Sequence, residues 1–214
     1  NLNNVKNLFS FRFPRPLVTS CFYFWGIYLS LIYYSQKDFS LKNYIFTAIC
    51  FAFIFVSYYY NFTSLFLLFL FIFFKKFLNE KNYLINNYLK ILISVIIFLI
   101  LTTPFFIIFK YSEPDFSSMI GVIELNYEIK KSLLSYFLSK IFTIKFILVF
   151  FLITFLRFQL IKENSPYNTA VYFFYYLYIS AIIAPFFFTL ISPSISEIYH
   201  FLNWIIVTSI LTIV

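Results

Sequence analysis

Long uncharged apolar runs alternate with short, mostly basic connectors along this chain. The first run, about Leu17 to Tyr34, follows the polar flank NLNNVKNLFSFRFPRP and precedes the connector SQKDFSLKN. The second extends from Tyr44 to Phe74, 31 residues without a charge, and is closed by Lys75 and Lys76. After FLNEKNYLINNYLK, a third runs from Ile91 to Phe109, with a kink expected at Pro104. KYSEPDFSSMIGVIELNYEIKK then breaks the pattern. Phe116, Met119, Ile120, Ile123 and Tyr127 fall at helical spacing behind Asp115, a good N-cap, which predicts a helix lying on the membrane. Two further spans are expected at about Ile141–Leu160 and Thr169–Ile191, the latter bent at Pro185, and a last begins at Phe201. In the amino-terminal flank, Leu2, Val5, Leu8 and Phe9 have helical spacing too, so an interfacial segment is expected before Pro14 and Pro16 break it.

The 31-residue run poses a question of length. As one helix it would reach about 46 Å, at 1.5 Å per residue. A hydrocarbon core of about 30 Å would force a tilt near 50°, beyond the usual limit of about 40°. Its middle, SYYYNFTS, gathers the polar groups of Ser57, Asn61, Thr63, Ser64 and three tyrosines. Length and polarity together predict a hairpin of two helices of about 15 residues, with the turn facing protein or a wet depression. Charge counting is less favourable to it. A hairpin puts Lys37, Lys42, Lys75 and Lys76 in the cytoplasm but leaves Lys6, Arg12 and Arg15 outside, so by basic residues alone a single crossing scores slightly better.

Hydrophobic residues make up 62% of the chain and charged ones 11%, against about 25% charged in soluble domains. The expected class is all-α: a polytopic transmembrane helix bundle with a short-helix hairpin and one interfacial helix. Residues 1–214 read as one transmembrane region: an interfacial flank over 1–16, first helices over 17–109 including hairpin 44–74, an external loop and interfacial helix over 110–140, and last helices over 141–214. The chain starts at Asn1 and stops inside an apolar segment, so an internal fragment of a longer protein is expected. Its Phe, Tyr, Ile, Asn and Lys content fits an AT-rich coding sequence, which strips the aromatic richness of functional weight. The net charge of +8 sits mostly beside apolar segments, so the expected partners are the bilayer and anionic lipid, not nucleic acid. Cys21 and Cys50 lie in apolar segments and are expected to be buried thiols. With glycine only at positions 26 and 121, GxxxG packing is absent.

Few residues offer chemistry. Glu113 and Asp115 flank Pro114 and read either as a solvated turn with an N-cap or as a carboxylate pair for a divalent metal or acid–base work. Glu197 and His200, three residues apart, suit one helical face, as an interfacial hydrogen bond or a proton-transfer pair. Glu124, Glu128 and Lys131 read as a polar helix face. The sequence shows no metal-ligand cluster, no glycine-rich phosphate loop, no nucleophile motif and no cofactor signature.

The stretch SLKNYIFTAICFAFIFVSYYYNFTSLFLLFLFIFFKK, with FPRPLVTSCFYFWGIYLSLIYYS before it, resembles a recurrent unit of the GT-C superfamily. These are membrane glycosyltransferases that use polyprenyl-phosphate-linked sugars. The resemblance covers about Pro14 to Lys76 and rests on hydropathy: a basic connector, a short helix, a polar-aromatic turn, a second short helix and a basic exit. It implies an inverting sugar transfer in a bacterial inner membrane, from a polyprenyl-phosphate donor to an acceptor in the cell envelope. It also places the amino-terminal flank outside, so that Arg12 and Arg15 could hold a lipid phosphate; as plain interfacial residues they would touch ordinary anionic headgroups. Many members carry a Thr-Lys pair at the turn, where this chain has Tyr60-Asn61. The usual catalytic carboxylate lies upstream of this chain, so the catalytic residue is unassigned. Candidate substrate-binding residues are Arg12, Arg15, Tyr60, Asn61, Glu113, Asp115, Glu197 and His200. The competing class is a non-enzymatic multi-pass subunit of a membrane assembly or a lipid-linked saccharide transporter; scarce intramembrane charge argues against a proton pump.

Overall fold

A computed structural model describes residues 15–36, 38–57, 59–80, 82–111, 123–124, 126–162, 168–191, 194–195, 205–210 and 212. The architecture is all-α. In order come α1 (Arg15–Ser35), α2 (Leu41–Ser57), α3 (Tyr59–Asn79), α4 (Tyr83–Tyr111), β1 (Ile123–Glu124), α5 (Tyr127–Ile141), α6 (Ile144–Lys162), α7 (Asn168–Ile191) and β2 (Ser194–Ile195). A helical stretch at 205–210 follows. The strands are a single two-residue antiparallel pairing, Ile123 with Ile195 and Glu124 with Ser194.

The long apolar run folds back on itself. In a continuous helix Phe51 and Phe69 would stand about 27 Å apart; their rings lie 5.7 Å apart, centroid to centroid. Phe62 likewise packs on Phe55 at 5.0 Å and on Phe51 at 6.0 Å. The hairpin arms, α2 and α3, are 17 and 21 residues long, longer than the expected 15. Both overrun the apolar run into its basic flanks, where Lys75 and Lys76 find partners in Tyr34 and Gln36.

The first four helices alternate in direction and define two ends. Ser35, Leu41, Asn79 and Tyr83 meet at one, here called the lysine end. Arg15, Ser57, Tyr59 and Tyr111 lie toward the other, the turn end. α7 runs antiparallel to α3: Tyr176 stands by Lys75, and Ala184 clusters with Leu67. Helices 61–79, 83–107 and 168–191 are long and apolar enough to cross a membrane. α5 and α6, bent by 64° at their junction, make a fourth candidate as one broken span. The chain is a multi-pass integral membrane protein.

In lipid, apolar burial gives helices little reason to associate, so packing itself must hold them. Aromatic rings supply much of it here. Phe22 stacks on Phe53 at 4.7 Å, Tyr33 on Phe69 at 4.3 Å and Phe62 on Phe98 at 5.7 Å. Such pairs are worth about 0.5–1.5 kcal/mol each beyond their area. Gly26 admits α1 closely against the hairpin: a Cβ there would stand 3.0 Å from Leu65 Cδ1 and 3.4 Å from Ile54 Cδ1. Hydroxyls of Ser30, Thr47, Thr102 and Thr189 donate back to carbonyls one turn earlier, so they stay satisfied inside apolar helices.

Three expectations are corrected. The third span starts at Tyr83 rather than Ile91, giving a helix of 29 residues. Its polar first turns are anchored, with Asn87 Nδ2 donating to the Tyr83 carbonyl at 3.1 Å and Lys90 Nζ to the Phe39 carbonyl at 3.3 Å. A helix starts at Tyr127, where Asn126 is the N-cap and its side chain accepts from Ile129 N–H at 2.9 Å. Ile123 and Glu124 are in the strand pairing, so Glu124 does not share a helix face with Glu128 and Lys131; Asp115, Phe116, Met119 and Ile120 lie outside the described residues. Cys50 is a buried thiol, but Cys21 lies exposed on α1.

Candidate functional site

The eight residues singled out in the sequence divide unevenly. Arg12, Glu113, Asp115, Glu197 and His200 lie outside the described residues. Arg15 opens α1, and Tyr60 and Asn61 form the first turn of α3. Asn61 is half-exposed, and its carbonyl accepts from Ser64 Oγ at 3.0 Å. All three positions belong to the turn end. The described chain on either side of the other candidates belongs there too. α4 ends at Tyr111 and α7 at Ile191, and the β1–β2 pairing ties together the segments that follow them.

The turn between α2 and α3 is recessed relative to its neighbours. Phe55 packs on Phe105 and Phe106, at 6.3 and 5.6 Å. From that level α2 continues only to Ser57, about 3 Å, whereas α4 continues to Tyr111, about 9 Å. On the other side Phe22 stacks on Phe53; α1 reaches about 10 Å beyond that level to Arg15, and α2 about 6 Å to Ser57. The polar-aromatic turn therefore stops roughly one helical turn below the flanking helix ends. Among the described residues, no group of three or more His, Cys, Asp or Glu side chains could hold a metal ion.

The lysine end carries a built polar constellation that the sequence reading treated only as topology. Tyr83 Oη lies 2.5 Å from Tyr33 Oη and 3.0 Å from Tyr44 Oη, so three buried hydroxyls from α1, α2 and α4 share one network. Lys76, only 8% exposed, donates to the Gln36 carbonyl. Its ammonium sits over the rings of Tyr33 and Tyr83 at 5.0 and 6.0 Å. Lys75 donates to Tyr34 Oη at 2.8 Å and lies over the rings of Tyr34 and Tyr176 at 4.4 and 5.7 Å. Beyond Tyr176 on α7, Arg157 of α6 stands over Tyr175 and Tyr172 at 4.3 and 5.0 Å, and its buried Nε has no hydrogen-bond partner. A half-open recess of 160 Å³ lies between the ends of α1 and α3. The available signal was positional: Tyr33–Tyr34 closes one apolar run, Lys75–Lys76 closes the next, and Tyr83 opens the helix after it. Compared with known proteins, this chain matches no family model, no curated protein and no solved structure.

Proposed function

We propose that this chain forms part of a membrane-embedded glycosyltransferase of GT-C type, moving a sugar from a polyprenyl-phosphate donor at the turn end of the bundle. The observation that supports this reading is the reversal between α2 and α3, with a polar turn recessed below the ends of α1 and α4. Polar backbone recessed at membrane depth is tolerated where it lines a cavity, and a cavity open to water and lipid is what a lipid-linked sugar needs. In this reading Arg12 and Arg15 hold the donor phosphate from the rim, and Tyr60 and Asn61 form the floor. Glu113, Asp115, Glu197 and His200 are further candidates for substrate binding in this reading. The host membrane in this reading is a bacterial inner membrane, and the product serves the cell envelope.

The test is photo-crosslinking of the full chain in nanodiscs with a diazirine-bearing polyprenyl phosphate. Crosslinks concentrated within 12–22 and 57–64, and competed by unlabelled polyprenyl phosphate, are the expected result. Labelling spread evenly over the lipid-facing residues of α4 and α6 would remove the proposal. A second reading, a subunit of a larger membrane assembly, draws on α4. The span 83–107 packs one face on the hairpin through Phe98, Phe105 and Phe106, and leaves Leu92, Ile96, Leu99, Ile100 and Ile107 exposed to lipid or a neighbouring subunit.

A further inference from the structure

We infer that the recess at the lysine end is a binding site for a phosphate group, and that the headgroup of an anionic membrane lipid supplies it. The site lies at the opposite end of the bundle from the proposed sugar chemistry and does not depend on it. Its polar wall is Tyr34, Ser35, Gln36, Lys75, Lys76 and Asn79. Its volume, 160 Å³, is far above the roughly 10–15 Å³ one water needs.

Two ammonium groups line this space, that of Lys76 buried and that of Lys75 exposed. Each lysine has three N–H donors, and the contacts above give each a single oxygen acceptor, a tyrosine hydroxyl for Lys75 and a backbone carbonyl for Lys76. Among the described residues neither forms an ion pair. Glu80, which lines the recess, and Asp38 favour the Lys76 charge at longer range but form no direct ion pair with it. A buried ammonium without a counter-anion is costly, and neutral oxygens and ring faces compensate only part of that cost. A phosphate brings several strong acceptors and a full negative charge to that place. Asn79 Nδ2 adds a neutral donor at its edge.

Placement argues for a lipid. The recess opens where span 61–79 ends, and Tyr34 in its wall, with Tyr176 and Tyr175 beyond it, makes an aromatic belt of the residue type enriched at headgroup depth. Lys75 and Arg157 bracket that belt from either side of α7. Headgroup phosphates are abundant at a membrane interface, and basic residues there are attracted to anionic lipid.

The experiment uses the purified full chain in neutral detergent, titrated with dioleoyl phosphatidylglycerol, dioleoyl phosphatidylcholine or inorganic phosphate. Native mass spectrometry counts retained lipid and a thermal scan follows Tm. The expected result is one retained phosphatidylglycerol with a raised Tm, and no retention of phosphatidylcholine. Lys75→Gln should lower phosphatidylglycerol retention at least about fivefold while the lipid-free Tm changes little. Asn79→Asp, which sets a carboxylate at the recess without removing packing, should do the same and serves if Lys75→Gln folds poorly. Lys42→Gln, at the same end but outside the recess, should bind as wild type. A Tm rise with inorganic phosphate that Asn79→Asp abolishes would support the phosphate site while assigning its source to free phosphate. Equal retention of the two lipids, undiminished binding by both recess variants, or an equal loss in Lys42→Gln would each overturn the inference.

Discussion

At the scale of single residues, the hydroxyl of Tyr83 is the group on which most depends at the lysine end. It bonds both Tyr33 and Tyr44, all three rings are at most 2% exposed, and no water can replace a lost partner there. Intramembrane hydrogen bonds average only about 0.6 kcal/mol in double-mutant cycles, because the unfolded chain in lipid also finds partners. Leaving two buried hydroxyls short of a partner costs more than losing one bond. Tyr83→Phe is therefore expected to lower stability by about 1–2 kcal/mol, measured by denaturant unfolding in micelles. The triple variant Tyr33→Phe, Tyr44→Phe, Tyr83→Phe should lose clearly less than the sum of the three single changes, because it strands no hydroxyl. Strict additivity would show that the hydroxyls are not coupled.

Helix packing turns on Gly26, the point where α1 meets both arms of the hairpin. Alanine at this site gains about 0.8–1 kcal/mol of helix propensity. Against that, Leu65 Cδ1, 3.0 Å from the new Cβ, must shift by a few tenths of an ångström. Leu65 Cδ1 is the far end of a flexible side chain, so Gly26→Ala is expected within about 1 kcal/mol of wild type. Gly26→Val adds two γ-carbons against Leu65 and Ile54 and should lose about 2–3 kcal/mol by overpacking. Unfolding midpoints in detergent separate the two; a Val variant as stable as the Ala variant would mean α1 is not held against the hairpin. The hairpin was legible in the sequence because length against bilayer thickness is a strong constraint and SYYYNFTS marks the only polar place to turn. The start of α4 was not legible. NEKNYLINNYLK has loop composition, and only tertiary partners for Tyr83, Asn87 and Lys90 make its latter part helical. The place of Ile123 and Glu124 was not legible either, because what takes them out of a helical stripe is their pairing with β2, a contact distant in sequence.

For the whole molecule, the alternation of α1 to α4 fixes which positions share an end, and this is where site and fold are linked. Charge counting favoured a single crossing, because it sees lysines as free markers of one side. It could not register that Lys75, Lys76 and Lys90 are tied to Tyr34, Gln36 and Phe39. The same blindness hid the recess, since its lysines came from one connector and their partners from another about forty residues away. A continuous rod over 44–74 would hold Lys42 and Asn79 about 55 Å apart on opposite faces of the bilayer. The reversal instead puts them at one end, where Tyr44 and Tyr83 hydroxyls meet at 3.0 Å. In a background with Cys21 and Cys50 replaced, single cysteines at positions 42 and 79 should therefore react with a membrane-impermeant maleimide from the same side of sealed vesicles. A cysteine at position 61 should be protected from that side and react, if more slowly for being recessed, from the other. Labelling of 42 and 79 from opposite sides would remove the hairpin, and with it both the recessed turn and the proposed sugar-transfer end; labelling of all three from one side would instead make the hairpin re-entrant.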